Sequence, residues 1–136
     1  MTEDVSLAGC IIENDQGDIL LIHRNTPNRI QWELPGGKID AGENSETAAI
    51  RELQEELGVK VEIIKKIGEK SFVEDGYTMR YHWFQANIIQ GESKLQEAKF
   101  DQMKYFKWSE LFDRPDLSAN TKNLVTSYQQ KQISLQ

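Results

Sequence analysis

Apolar and β-branched positions cluster at residues 5–13 and again at 18–23, the pattern of two partly buried strands. Between them Asn14-Asp15-Gln16-Gly17 has turn composition, so the two strands are expected to pair as a hairpin. Residues 24–39, with Pro27, Pro35 and the Gly36-Gly37 pair, break the pattern and read as a loop. The periodicity then becomes helical. Ala49, Ile50, Leu53 and Leu57 form one apolar stripe of a helix that starts near Ser45. Asn44 is placed to cap it, Glu46 lies in the first turn where the helix dipole favours an acid, and Gly58 stops it. Residues 61–72 and 77–89 predict two longer strands joined across Glu74-Asp75-Gly76, and residues 104–108 a shorter one. Residues 109–112 suit a helical turn, and residues 119–130 a closing helix with Leu124 and Tyr128 inward. Strands, helix, strands and helix in that order imply an α/β domain whose mixed sheet is flanked by helices.

Composition narrows the class. A chain of 136 residues, 38% hydrophobic and 28% charged, suits one globular domain over residues 1–136. Its apolar runs are too short to cross a bilayer, and the acidic start Met1-Thr2-Glu3-Asp4 is unlike a signal peptide. The lone Cys10 sits in an apolar stretch and reads as a small buried hydrophobe, so a reducing cytoplasm is expected. The net charge of −6, without a basic stripe, argues against a nucleic-acid polymer as partner. A small phosphorylated molecule remains open to such a chain if a metal or a few placed cations neutralise it.

The chemistry concentrates in residues 37–59: Gly37, five residues, Glu43, seven residues, Arg51-Glu52-Leu53, one residue, Glu55-Glu56, one residue, Gly58-Val59. Glu52, Glu55 and Glu56 stand at i, i+3 and i+4, within roughly 100° of one helix face. Such an acidic face is also what an ordinary solvated helix shows. As a cluster, however, the three repel one another, and a hard divalent cation offsets that. Seven fixed identities at these spacings coincide by chance on the order of once in ten million chains.

The segment resembles the Nudix box at every fixed position, Leu53 and Val59 included. That resemblance implies an α/β/α sandwich with a mixed sheet, and a hydrolase that cleaves a nucleotide's diphosphate linkage with Mg²⁺, or Mn²⁺ as substitute. Carried over, it makes Glu52, Glu55 and Glu56 metal ligands, with the Gly37 carbonyl as a further one. It makes Arg51 the residue that orients a box glutamate, and Glu43 a support for the loop. The general base is then one of the box glutamates, Glu52 or Glu55 among them, or an acid of the loop before the last strand, which offers Glu92, Glu97 and Asp101; Glu97 is the choice there, as remote metal ligand and candidate base. Lys99 falls where a strict register would put that acid.

Residues 32–39, Trp-Glu-Leu-Pro-Gly-Gly-Lys-Ile, are similar to the MutT-type 8-oxo-dGTP diphosphatases. Arg24 and Asn120 resemble that group's base-contacting residues, and Lys38 is placed to meet phosphate. Arg24 as a solvated strand-end cation and Asn120 as a helix cap are the bland alternatives. A nucleoside triphosphate, a purine with oxidised guanine included, is thus the expected substrate. ADP-ribose or a dinucleoside polyphosphate, the latter hinted at by Tyr77, are the alternatives, and a silent nucleotide-binding module is a third. His23 and His82 read as packed or surface residues. Oligomeric state is not legible.

Overall fold

The computed structural model describes residues 3–136, so Met1 and Thr2 of the acidic start lie outside it. Seven strands and three helices follow in order: β1 (Glu3–Ile11), β2 (Ile19–Thr26), β3 (Arg29–Glu33), β4 (Gly36–Lys38), α1 (Ser45–Leu57), β5 (Lys60–Glu74), β6 (Tyr77–Gln90), β7 (Phe100–Phe106), α2 (Trp108–Leu111) and α3 (Ala119–Gln129). They build a four-stranded sheet, β4-β1-β6-β5, and a three-stranded sheet, β3-β2-β7. The first is mixed: β1 runs parallel to β6, while β4 and β5 pair antiparallel to their neighbours.

The expected β1–β2 hairpin survives only at its turn. Asn14 N donates to Asp18 O and Leu20 N to Ile12 O, both at 3.0 Å. Beyond the turn the strands part, β1 to the mixed sheet and β2 to the other. The supposed loop 24–39 holds the end of β2 and two further strands, β3 and β4. Both are short and lie at sheet edges, where proline and glycine are tolerated. β7 begins at Phe100, four residues before the predicted start, because its exposed run from Asp101 to Lys104 shows no alternation on this edge strand.

The long pair β5–β6 and the helix α1 match their predicted positions. Asn44 Oδ1 accepts from Thr47 N at 2.8 Å, and Gly58 ends the helix in the left-handed conformation, φ 70°. α1 buries Ala48, Ala49, Leu53 and Leu57 against Ala8, Cys10 and Phe84. On the opposite side a second cluster joins Ile11, Leu21, Trp83 and Phe106 to Leu124 and Val125 of α3. Tyr128 stacks on Trp108 with ring centroids 3.8 Å apart. The result is helix, sheet and helix in three layers, with the two sheets splayed where β3 faces β5 and β6.

Candidate active site

Arg51, midway along α1, organises the acidic end of this splay. Its Nε and Nη2 clamp the Glu43 carboxylate at 2.9 and 2.8 Å, and Nη2 also donates to the Lys38 carbonyl at 2.9 Å. Nη1 donates to Glu52 at 3.0 Å and to both oxygens of Glu55 at 3.1 and 3.2 Å. One planar guanidinium therefore ties the loop before the helix to two of its carboxylates, a task suited to its fixed donor geometry. Glu43 also accepts from Asp40 N at 3.0 Å. The hydrogen bonds from Arg51, then from Asp40, hold its carboxyl down at about 2. With both oxygens engaged, Glu43 anchors the loop.

The three helix glutamates have different surroundings, not the single open face expected of them. The Glu55 side chain is 52% exposed, that of Glu52 is 14%, and residue Glu56 is only 2%. Glu56 lies on the buried side of α1 beside Leu53 and Leu57, and its Oε1 accepts from Gly36 N at 2.6 Å. The five residues assigned to metal, Gly37, Glu52, Glu55, Glu56 and Glu97, thus form no closed cage. Glu55 is drawn to Arg51, and Glu56 to the backbone of Gly36. Burial, reinforced by the charges of Glu52 and Glu97, raises the Glu56 carboxyl well above its ordinary range. Burial likewise raises Glu52, against the pull of Arg51. Glu52 presses on Gly37 so closely that a Cβ there would stand 2.5 Å from its carboxyl carbon. A side chain at 37 would have to displace the Glu52 carboxylate from this position.

A cleft of about 540 Å³ opens from these groups between the sheets. Glu52, Glu55, Gly37, Lys38 and Glu97 line one end; Arg24 and Asn120 lie further along its walls. Of the three acids expected in the loop before the last strand, Glu92 and Glu97 lie in that loop and Asp101 lies within β7; only Glu97 lines the cleft, 3.8 Å from Lys99 Nζ. Asp101 faces elsewhere, bound to His23 Nδ1 at 2.7 Å and Asn25 Nδ2 at 2.8 Å. His82 pairs with Lys66 at 3.0 Å, so neither histidine belongs to the cleft. Tyr77 stands exposed at the start of β6.

Arg24 is no free strand-end cation. Its Nε and Nη2 grip Glu33 at 2.6 and 3.1 Å, and its guanidinium lies 5.0 Å from the Phe100 ring centroid. Nor is Asn120 the cap of α3, because Ser118 is. Asn120 is buried, and its Oδ1 accepts from Trp83 Nε1 at 2.8 Å. An indole nitrogen can only donate, so this bond engages the amide oxygen of a residue that lines the cleft. Glu33, Trp83 and Tyr81, the last on the cleft floor, were not singled out from the sequence. Only Glu33 carried a signal, its place in the stretch 32–39. A larger groove, of about 1110 Å³, lies beside the C-terminus and touches none of the predicted site residues.

A family model described as NUDIX domain matches residues 5–128. The chain belongs to the Nudix family. It is 35% identical over 95 residues to a Bacillus subtilis (strain 168) protein named "Putative 8-oxo-dGTP diphosphatase", covering 70% of this chain and 61% of that one. It is 29% identical over 120 residues to an RNA pyrophosphohydrolase of Sphingopyxis alaskensis, covering 76% of each. Its fold superposes on the MutT protein of Methanosarcina mazei Go1 with a TM-score of 0.85 at 19% identity, covering 96% of both chains. The MutT NUDIX hydrolase of Burkholderia pseudomallei gives 0.81 at 28% identity, covering 91% of this chain and 97% of that one.

Nudix hydrolases use divalent metal ions, and the residues here can be tested for such an ion. Among the described residues no three His, Cys, Asp or Glu side chains converge as a closed cage requires. Mg²⁺ does not need one, since it binds through one or two carboxylates and keeps water and substrate oxygens as its remaining ligands. The cleft end offers only oxygen donors of this kind, with Glu52 held in a half-buried, repulsive setting that a cation relieves. These residues fit an open site shared with a substrate's phosphates.

Proposed function

We propose that this Nudix chain hydrolyses a nucleoside triphosphate to the monophosphate and pyrophosphate, with Mg²⁺ as cofactor and Mn²⁺ as substitute, preferring purines, oxidised guanine among them. The observation that carries this reading is the placement of Asn120. A buried amide whose oxygen is engaged by Trp83 lines the same cleft as the Arg51-organised carboxylates. Glu52, Glu97 and the Gly37 carbonyl would hold the metal, with Glu55 and Glu56 completing the charge around it. The metal would supply neutralisation of phosphate charge and activation of a water. Lys38 approaches the phosphates from the exposed end of β4, and Glu55 or Glu97 takes the proton as water oxygen bonds to phosphorus and the anhydride P–O bond breaks.

The base end is more constrained than residue types alone suggest. Glu33 already occupies one edge of the Arg24 fork and Phe100 lies against one guanidinium face, leaving Nη1 and the other face. Asn120 offers chiefly a donor, suited to a ring nitrogen or exocyclic carbonyl of a purine. A base without an acceptor there leaves the amide unpaired, at about 1–3 kcal/mol per buried group. The relatives named RNA pyrophosphohydrolase favour a second reading, removal of pyrophosphate from a 5′-triphosphorylated RNA end. Product analysis on 8-oxo-dGTP, dGTP, dCTP, ADP-ribose and triphosphorylated RNA, with Mg²⁺ and with EDTA, separates these. Monophosphate and pyrophosphate from a purine triphosphate, with metal only, is the expected result; a hundredfold advantage for any other class, roughly 2.7 kcal/mol, overturns it.

A further inference from the structure

Tyr81 stands on β6 between Met79 and Trp83, the neighbours that share its face of the strand. Its backbone lies opposite Leu7 of β1, but its phenol does not stay there. The ring leans across β1 over Gly9 and reaches Gly36 of β4, the residue paired with Gly9. A Cβ at Gly9 would stand 2.6 Å from the Tyr81 Oη, and one at Gly36 would also overlap it. The oxygen occupies room that two facing glycines leave open.

Packing explains the ring. Tyr81 joins Trp83, Trp32 and Leu34 in one apolar cluster and is only 6% exposed. Phenylalanine would fill that place as well, so packing does not explain the hydroxyl. Among the described residues the Tyr81 hydroxyl has no hydrogen-bond partner. Among the same residues, Ser93 Oγ is the one buried side-chain oxygen or nitrogen cut off from both partner and solvent. The Tyr81 oxygen therefore keeps contact with open space, and the open space that Tyr81 lines is the cleft. A hydroxyl drawn this far out of water needs a partner, and here a substrate can provide it.

Its neighbours say which part of a substrate it meets. Gly36 N donates to Glu56 Oε1 at 2.6 Å, and the next residue, Gly37, lies against the Glu52 carboxylate. Trp83, two residues along β6, holds Asn120. The hydroxyl thus stands beside the carboxylate end, one strand step from the residue that orients the amide. Burial, and after it the negative charge of Glu56 and Glu33, holds the phenol well above its ordinary range. It stays protonated and has a hydrogen to donate. A neutral donor suits this spot, because it meets a phosphate oxygen without adding charge to the carboxylates.

We propose that Tyr81 is a further substrate-contacting residue of this cleft, its hydroxyl donating to an oxygen of the phosphoryl group next to the nucleoside. This rests on the nucleoside triphosphate reading above and adds to it a contact made by β6. The two glycines, Gly9 and Gly36, are what let the hydroxyl reach that far.

The test compares wild type with Tyr81→Phe, which removes the oxygen and keeps the ring. In Mg²⁺, kcat/KM on dGTP should fall about 10- to 100-fold, the worth of one hydrogen bond to a charged oxygen. Inhibition by dGMP should weaken about tenfold, while inhibition by deoxyguanosine, which lacks the phosphoryl group, should not change. The melting temperature in EDTA should not drop, because the lost hydroxyl has no partner within the protein. Undiminished dGTP turnover by Tyr81→Phe overturns the contact and leaves the triphosphate reading intact. Equal weakening of dGMP and deoxyguanosine also overturns it, since the hydroxyl would then address the sugar or base. A lower melting temperature overturns it in favour of a structural role. A wild type that does not turn over dGTP overturns the triphosphate reading and the contact together.

Discussion

Asn120 shows what a side chain's neighbours add to its chemistry. From composition it is an amide with a donor and an acceptor; the structure engages its oxygen on Trp83, which leaves the NH₂ as the group it can offer a base. Asn120→Ala should therefore lower kcat/KM on purine triphosphates and narrow their advantage over dCTP, with little effect on dCTP itself; equal losses on every base would remove it from base reading. Glu56 makes a similar point. Spacing groups it with Glu52 and Glu55, but it is buried and bound to Gly36 N. Without metal, its raised carboxyl favours the protonated form in the folded state. That contribution is complete below the unfolded carboxylate range and is lost as pH rises through the folded value. Glu56→Gln keeps the acceptor for Gly36 N and removes the charge. In EDTA it should melt above wild type at pH 8 and near wild type at pH 4, while turnover with Mg²⁺ collapses. A lower melting temperature at pH 8 would show that the charge is already compensated. Arg51→Lys replaces a fork serving four groups with a point charge, and activity should fall about 10- to 100-fold.

At the scale of elements, legibility followed periodicity and burial. α1 was readable because its stripe, its cap at Asn44 and its stop at Gly58 agree. Leu53, fully buried in it, should lose about 2–5 kcal/mol on Leu53→Ala, measured by urea unfolding, because the cavity sits where helix meets sheet. A loss below about 1 kcal/mol would contradict that packing. β3 and β4 were illegible for a physical reason. They are short, edge-bound and flanked by Pro27 and Pro35, so neither alternation nor length marked them. The parting of β1 from β2 was equally hidden, since the turn between them is the same in a full hairpin. Arg24 and Asn120 could be named as candidates. Glu33 and Trp83, which orient them, come from strands that a linear pattern does not bring together.

For the molecule as a whole, the site is a place where two sheets splay and a helix brings acidic charge to their junction. An arrangement of this kind couples stability to the bound cation. Mg²⁺ at a hundred times its Kd should add about 2.7 kcal/mol to unfolding free energy. Melting curves that coincide in millimolar Mg²⁺ and in EDTA would argue against any such site. The central claim, that metal held at the Arg51-organised carboxylates serves cleavage of a nucleoside triphosphate in this cleft, is tested most directly by pyrophosphate release from 8-oxo-dGTP and dGTP. Wild type and Glu52→Gln are compared, each with Mg²⁺ and with EDTA. The account predicts release of pyrophosphate and monophosphate by wild type with Mg²⁺ alone, and its near-complete loss in Glu52→Gln with the fold preserved. Equal release in EDTA, or undiminished release by Glu52→Gln, would contradict it.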